Sequence, residues 1–410
     1  MTIRPILRAG AAALALGAAG TASAECAFEN DTPVSSLTAG FEAWKSVTDA
    51  MAECGNFEAE LDQEFRTKQP AAFAADPSLY EIGGVSNGTV TPLLNEGTIR
   101  PLDDLVAEHG QNLSPNQLIQ IDGQTMAVAM MVNVQHLMYR KDIFDELGLD
   151  VPQTWDEVLE AAAAIEEAGV VDYPLGATMA SGWNLGQDFV NMYAGYGGAF
   201  TGEAFANIAE SDAAMNALET MQALTEYMDP EFLVSDSTYV QQQLQQGRIA
   251  MANLWASRGG AMDNAEESQV VGQVYAAAAP RAMEGGPPAT TLWWDGIVIA
   301  RNISDEAAEA AFRVAMEGMD TEMVTQNQDD AIWLIEGYEP NRLAEGAIAS
   351  ATAQPAPPSY PSVSEMGLMH TALGNELPGF FTGERDAAAT LAAVQESYRT
   401  AAAEAGLLSD

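Results

Sequence analysis

The chain has 410 residues, room for two or three domains with sizeable cores. Sixteen Lys and Arg stand against 59 Asp and Glu, a formal net charge of −43, which excludes nucleic acid and anionic membrane as partners because both need basic patches. Hydrophobic residues make up 48%, too many for an acidic disordered chain, and two Cys with three His leave little for a zinc or haem site; no metal and no cofactor are expected.

Residues 1–24 read as a secretory signal peptide: Arg4 and Arg8 precede a short apolar run, and Ala22-Ser23-Ala24 is a small-residue cleavage site. Cleavage near Ala24 puts the mature chain in the periplasm, where Cys26 and Cys54, the only two cysteines, are expected to pair. Beyond the leader, short β-like runs alternate with helical ones, the mark of an α/β fold. Strands are predicted over residues 34–38, 57–61, 80–85 and 125–131, with helices over 40–53 and from 88 to about 95. Thr154-Trp155-Asp156-Glu157 is a capping box opening a helix that Gly169 stops. A strand over 296–300 leads to a helix over 305–317 capped by Ser304; a last helix spans about 384–405, and the Pro-rich run 354–361 is the clearest loop.

Gly84-Val85-Ser86-Asn87-Gly88 matches the G-x-S-x-G elbow of serine hydrolases, but His109 and His136 follow Ser86 too soon for the usual order, and His370 lies in a helical stretch. The better reading is a Gly-rich turn at a strand's C-terminal edge, where open α/β sheets bind ligands. The tryptophans say more. Trp155 and Trp333 read as packing, whereas Trp183, Trp255, Trp293 and Trp294 sit in turns beside Asn184, Arg258 and Asp295. An indole stacks on the apolar face of a pyranose while such polar neighbours take its hydroxyls.

In this order the segments resemble the extracellular solute-binding proteins of bacterial ABC importers, the sugar-binding family that includes maltose-binding protein. The resemblance is carried by Gly97–Asp104, Asp122-Gly123-Gln124 with 126–132, Tyr139–Phe144, Leu147-Gly148-Leu149, Pro152–Glu157, the 247–255 strand ending in Trp255, and 296–317. Arg140 and Ala129-Met130-Met131 depart from the family pattern. The resemblance implies a two-lobed periplasmic-binding-protein fold with three interdomain crossovers, near 132–136, 274–280 and 333–340, and a central ligand cleft. The N-terminal lobe would hold 25–134 plus 281–335, and the C-terminal lobe 135–280 plus 336–410. Implied cleft residues are Gly40, Phe41, Trp44, Asp62, Gln63, Ser86, Asn87, Gly88 and Asn133 from the first lobe. The second lobe would add Trp183, Asn184, Trp255 and Arg258, and the hinge region Trp293, Trp294 and Asp295. For Trp44 a buried helix face is an equal reading. The implied function is a monomeric, non-enzymatic receptor that closes on a sugar or polyol and delivers it to a transmembrane permease. Two rivals stand: a cationic osmolyte or polyamine in a Trp/carboxylate cage, and a secreted hydrolase using Ser86.

Overall fold

The computed structural model describes residues 26–28, 30–200 and 203–407, so the signal peptide and its cleavage point lie outside the described residues. The first stretch runs β1 (Val34–Thr38), α1 (Glu42–Ala52), β2 (Phe57–Leu61), α2 (Phe65–Ala74), β3 (Ile82–Ser86), α3 (Asn87–Glu96), α4 (Asp103–His109), β4 (Leu118–Ile121) and β5 (Gln124–Asn133). The second runs β6 (Gln135–Arg140), α5 (Lys141–Leu147), α6 (Trp155–Ala168), β7 (Tyr173–Ala177), α7 (Trp183–Gly195), α8 (Glu203–Ala206), α9 (Asp212–Thr225), α10 (Ser237–Gln245), β8 (Ile249–Trp255) and β9 (Val274–Ala277). Then come β10 (Trp293–Ile299), α11 (Asp305–Glu317), α12 (Thr321–Gln326), β11 (Ile332–Trp333), α13 (Glu345–Ala351), α14 (Ser364–Glu376), α15 (Pro378–Phe381) and α16 (Ala387–Glu404).

The strands form two sheets. The first has the order β11-β5-β10-β3-β1-β2 with β4 also on β5, and the second β7-β8-β6-β9. Strands β1, β2 and β3 run parallel, and β10 is antiparallel to β3 and β5. All five residues of β3 are buried, as expected of a strand covered on both faces. Its glycines let helices approach: a Cβ on Gly84 would lie 2.8 Å from the Trp44 ring, and one on Gly83 2.7 Å from Phe73.

The chain passes between the sheets three times, giving the two-lobed fold. Val134 alone separates β5 of the first sheet from β6 of the second. Residues 278–292 return from β9 to β10, and after β11 the chain reaches α13, which packs on β6 and β9. The returning strap hugs the second sheet's helices first: Arg281 N donates to Gln153 O, and Arg281 O accepts from Trp155 N.

Separate cores back the two sheets. Leu37, Trp44, Val47, Ile82, Phe312 and Trp333 pack one; Leu137, Trp155, Val158, Leu175, Phe189 and Leu373 pack the other. Trp155 and Trp333 are therefore packing residues. The Cys26–Cys54 disulfide is present and ties the start of the described chain to the end of α1. Thr154 and Glu157 close the capping box, and Gly97 and Gly169 end their helices in the left-handed conformation that glycine adopts without strain. The strand predicted over 296–300 starts three residues earlier, because Trp293, Trp294 and Asp295 pair with Asn133, Val132 and Met131.

Candidate ligand-binding cleft

The cleft lies between the sheets and has two compartments, each of about 260 Å³. They share one wall, made by Arg66, Ser86, Trp183 and Trp293. We call them inner and outer. The inner compartment adds Phe41, Gln63, Phe65, Asn133, Asn184, Asp236, Trp255, Arg258 and Asp295, with hydroxyls from Ser237, Thr238 and Ser257. The outer one opens between α3 and α14, past Gly88, Thr89, Gly182, Gly367, Thr371 and Asn375, with Tyr360 and His370 behind.

Element ends position these side chains. Ser86 closes β3 and caps α3, its backbone N donating to Thr89 Oγ1 at 2.7 Å. Trp255 is the last residue of β8, Trp293 the first of β10 and Trp183 the first of α7, so these rings stand on rigid elements and not in free turns. The three indoles pack together, with centroids 6.3 Å apart for Trp183–Trp255, 5.8 Å for Trp183–Trp293 and 5.9 Å for Trp255–Trp293. Tyr360 lies 4.1 Å from Trp293, and the His370 ring stacks on Trp183 at 4.9 Å.

A buried relay fixes Trp293. Its Nε1 donates to Thr291 Oγ1 at 3.0 Å, which donates to Asn191 Oδ1 at 2.8 Å. Asn191 Nδ2 donates to Gln135 Oε1 at 2.7 Å, Gln135 Nε2 to Thr178 Oγ1 at 2.7 Å, and Thr178 to Asp188 Oδ1 at 3.0 Å. Every polar group in the run is thereby satisfied in the direction its chemistry allows. Burial pushes the Asp188 carboxyl up to about 7, with the Gln135 and Thr178 hydrogen bonds pulling the other way.

Charge in the cleft is sparse and mixed. Asp295 projects into the inner compartment; burial pushes its carboxyl up to about 7, partly offset by the nearby Arg66 guanidinium. Arg66 starts in α2, reaches across the cleft and lays its guanidinium 4.9 Å from the Trp183 ring centroid. The surrounding protein lowers its pKa, but the residue is exposed to solvent at the cleft mouth. Among the described residues none accepts a hydrogen bond or forms an ion pair with it. Arg258 is more committed, donating to Gln241 Oε1 at 3.1 Å.

Ten of the residues implied by the sequence line the inner compartment: Phe41, Gln63, Ser86, Asn133, Trp183, Asn184, Trp255, Arg258, Trp293 and Asp295. Gly88 lines the outer one. Five are placed elsewhere. Trp44 is 1% exposed inside the first core, so the buried-face reading describes it. Trp294 sits between Trp293 and Asp295 on a strand, so its side chain points to the opposite face of the sheet and packs against the apolar cluster that contains Phe73, Val85 and Val298. Asn87 is buried as a clamp, donating to Tyr360 O and accepting from Trp294 N. Asp62 is held by Lys68, and Gly40 offers its carbonyl to Gln63 Nε2. Arg66, Phe65, the 236–238 turn, Ser257, Tyr360 and His370 belong to the site and were not legible as such. The one available signal was the rarity of basic residues in so acidic a chain.

Ser86 does sit on a strand-to-helix turn, but no base serves it. His136 is fully buried on β6, and burial pushes it down to about 3. His109 lies at the end of α4, beside Glu309. His370 shares the outer compartment with Ser86, but both its ring nitrogens are engaged. Nε2 must donate to Trp183 O at 2.8 Å, because a carbonyl only accepts; Nδ1 then accepts from Tyr360 OH at 2.8 Å. Burial pushes this imidazole down to about 4. Among the described residues no group of three or more His, Cys, Asp or Glu is arranged to hold a metal ion. No described helix is long and apolar enough to cross a membrane.

Comparison with known proteins agrees with this architecture. The sn-glycerol-3-phosphate-binding periplasmic protein UgpB of Agrobacterium fabrum is 29% identical over 116 residues, 26% of this chain and 25% of that protein. Its Brucella abortus counterpart is 27% identical over 181 residues, 39% of this chain and 40% of that protein. The chain thus matches only a quarter to two fifths of the length of these relatives. Fold similarity extends much further. An ABC transporter solute-binding protein from Agrobacterium radiobacter K84, in complex with ribitol, superimposes with a TM-score of 0.78 at 20% identity, covering 90% of this chain and 99% of that one. One from Agrobacterium vitis S4 with bound D-mannitol gives 0.76 at 19% identity, covering 91% and 99%. The family described as "Bacterial extracellular solute-binding protein" matches residues 36–317, more than half the chain, and the protein belongs to that family.

Proposed function

We propose that the protein is a periplasmic, monomeric, non-enzymatic receptor that captures a sugar or polyol by hinge closure and presents it to the permease of an ABC importer. The observation that carries this reading is the lining of the inner compartment: Arg66 and Ser86 from the first sheet's side face Trp183 and Trp255 from the second across one cleft. A ligand gripped from both sides stabilises the closed form; one touching a single side shifts nothing. The relatives named for glycerol phosphate and the fold neighbours holding ribitol and mannitol support a polyhydroxylated guest. Such a guest offers apolar C–H faces to the indoles and hydroxyls to Ser86, Asn133, Asn184, Asp295 and Arg258.

A cation cage fits the cleft less well. Indole centroids about 6 Å apart leave no layer between the rings, since a guest between two faces needs roughly 7 Å. Two guanidiniums also share the compartment. A serine hydrolase fits less well again, because His370 is held away from general-base work. The lobe limits we propose are 25–134 plus 281–335 and 135–280 plus 336–410. The Arg281 contacts with Gln153 and Trp155 support moving the second limit to about residue 292.

The test is a melting screen over alditols, monosaccharides and disaccharides, followed by X-ray scattering with the best binder. A ligand at 100 times its Kd adds about 2.7 kcal/mol to stability, and the radius of gyration should fall on saturation. No shift with any sugar or polyol, or a larger shift with quaternary amines, overturns the reading; so does Ser86-dependent turnover.

A further inference from the structure

The two compartments differ in charge. The inner one carries Asp236 and Asp295 beside Arg66 and Arg258. The outer one contains Arg66 and no carboxylate at all. In a chain of 59 acids and 16 bases, a compartment lined by a cation and no acid differs from the neighbouring one, which holds two of each. The outer compartment's other polar groups include the Ser86 hydroxyl and the Asn375 amide, both able to donate, while the Thr371 hydroxyl already donates to Gly367 O at 2.9 Å. The first turns of α3 and α7 border it, with Gly88 on one side and Gly182 on the other.

Arg66 itself lacks an acceptor. Its guanidinium has five N–H donors, and its recorded close contacts are the Phe65 and Trp183 rings, which take none of them as ordinary hydrogen bonds. The carboxylates of Asp295 and Glu64 act on it through space without forming an ion pair. Arg66 is exposed at the cleft mouth, so water can meet its donors in the unliganded protein; a donor fork open beside a cavity is matched by a bidentate oxyanion.

Building on the receptor reading above, we infer that the outer compartment receives an acidic group of the ligand, a carboxylate or a phosphate, which pairs with Arg66. The preferred guest is then an acidic sugar or polyol, its hydroxylated part against the indoles and its oxyanion between α3 and α14. The cavity is roomy enough for either group. Gly367 lines it, and an added Cβ there meets nothing within 4 Å.

Calorimetric titration of matched pairs tests this: glycerol against glycerol 3-phosphate, ribitol against ribitol 5-phosphate, and D-glucose against both D-glucuronate and D-glucose 6-phosphate. The uronate and phosphate arms tell the two oxyanions apart. For at least one pair the acidic member should bind about tenfold tighter or better. That preference should collapse in Arg66→Gln, which removes the charge, and in Gly367→Leu, which fills the compartment. Gly367→Leu replaces a helical glycine with a good helix former, and its melting curve verifies the fold. If neutral members bind as well as or better than every acidic partner, the inference fails while the receptor reading stands; if nothing in the panel binds, both fail. A preference that survives both substitutions also overturns it, by placing the oxyanion elsewhere.

Discussion

The two sides of the cleft are built from different materials. The first sheet, seven strands with glycines where helices press close, brings Ser86, Asp295 and, from α2, Arg66. The second, of four strands and covered largely by helices, brings the broad rings of Trp183 and Trp255. Trp293 belongs to the first sheet by its backbone, but its ring packs in the second core and hangs on the relay through Asn191 to Asp188. Each side also brings the other kind of group, Phe41 and Phe65 from the first and Asn184, Ser257 and Arg258 from the second, so a guest touching both sides gains contacts that neither half alone supplies. The first half carries the disulfide as well as buried hydrogen bonds from Gln69, and the second carries the side-chain relay.

The largest effect separates a core tryptophan from a cleft one. Trp44→Ala should cost about 3–5 kcal/mol of stability, because it empties a fully buried site against Gly84 and Val47, and it should leave Kd unchanged in whatever protein folds. Trp183→Ala should do the reverse, with little change in unfolding free energy and a loss of about 2–4 kcal/mol in affinity, roughly 30- to 800-fold in Kd. Paired urea unfolding and calorimetry check this, and matching profiles for the two variants would break the division. Next comes the disulfide. Replacing Cys26 and Cys54 by serine reopens a loop of sequence separation 28 and should cost about 3–4 kcal/mol by chain entropy. The loss should fall on the first half, seen as faster amide exchange in α1 and β1 than in β6 and β8.

How far the sequence went follows from the range of the interactions. Strands 34–38 and 57–61 and the Thr154 capping box depend on local alternation and spacing, and they were legible to the residue. The Trp293 strand began earlier than predicted because its pairing partner lies on β5, some 160 residues away. Trp183 looked like a turn residue since Gly182 precedes it, but that glycine is the helix N-cap. Trp294 was assigned with its neighbour because both are indoles; only the strand register shows that they face opposite ways. Arg66 has no motif of its own, and its role exists only because α2 and α7 meet across the cleft.

The buried relay has a pH signature that a disulfide lacks. The native carboxyl of Asp188 is raised to about 7 from an ordinary value near 4. Folding therefore favours its protonated form. Its contribution to stability is full below pH 4 or so, falls as pH climbs through the window from about 4 to 7, and is flat above. Asp188→Asn keeps an acceptor for Thr178 and removes the titration. The variant should gain on the wild type across that window, by about 3–4 kcal/mol at pH 8 relative to pH 4. Asp295 titrates in the same range but is present in both proteins and cancels in the difference. Urea unfolding of both chains at several pH values measures it; a difference that shrinks with rising pH would show that the relay holds a carboxylate.

The smallest effect tests whether the second half tolerates a local loss away from the cleft. Thr154 Oγ1 accepts from Glu157 N at 3.2 Å, and Glu157 Oε2 accepts in turn from Thr154 N at 3.2 Å and from Gln153 N at 2.6 Å. Thr154→Ala should cost about 1 kcal/mol. Its reach is short, because Trp155 N is anchored independently on Arg281 O and the Trp155 ring is buried. Adding Glu157→Ala should cost less than the sum of the two single changes, since the first substitution has already opened the reciprocal pair. Kd should stay level in all three variants. A fall in affinity would mean that strap 278–292, which runs from this cap to Trp293, passes the disturbance on to the cleft.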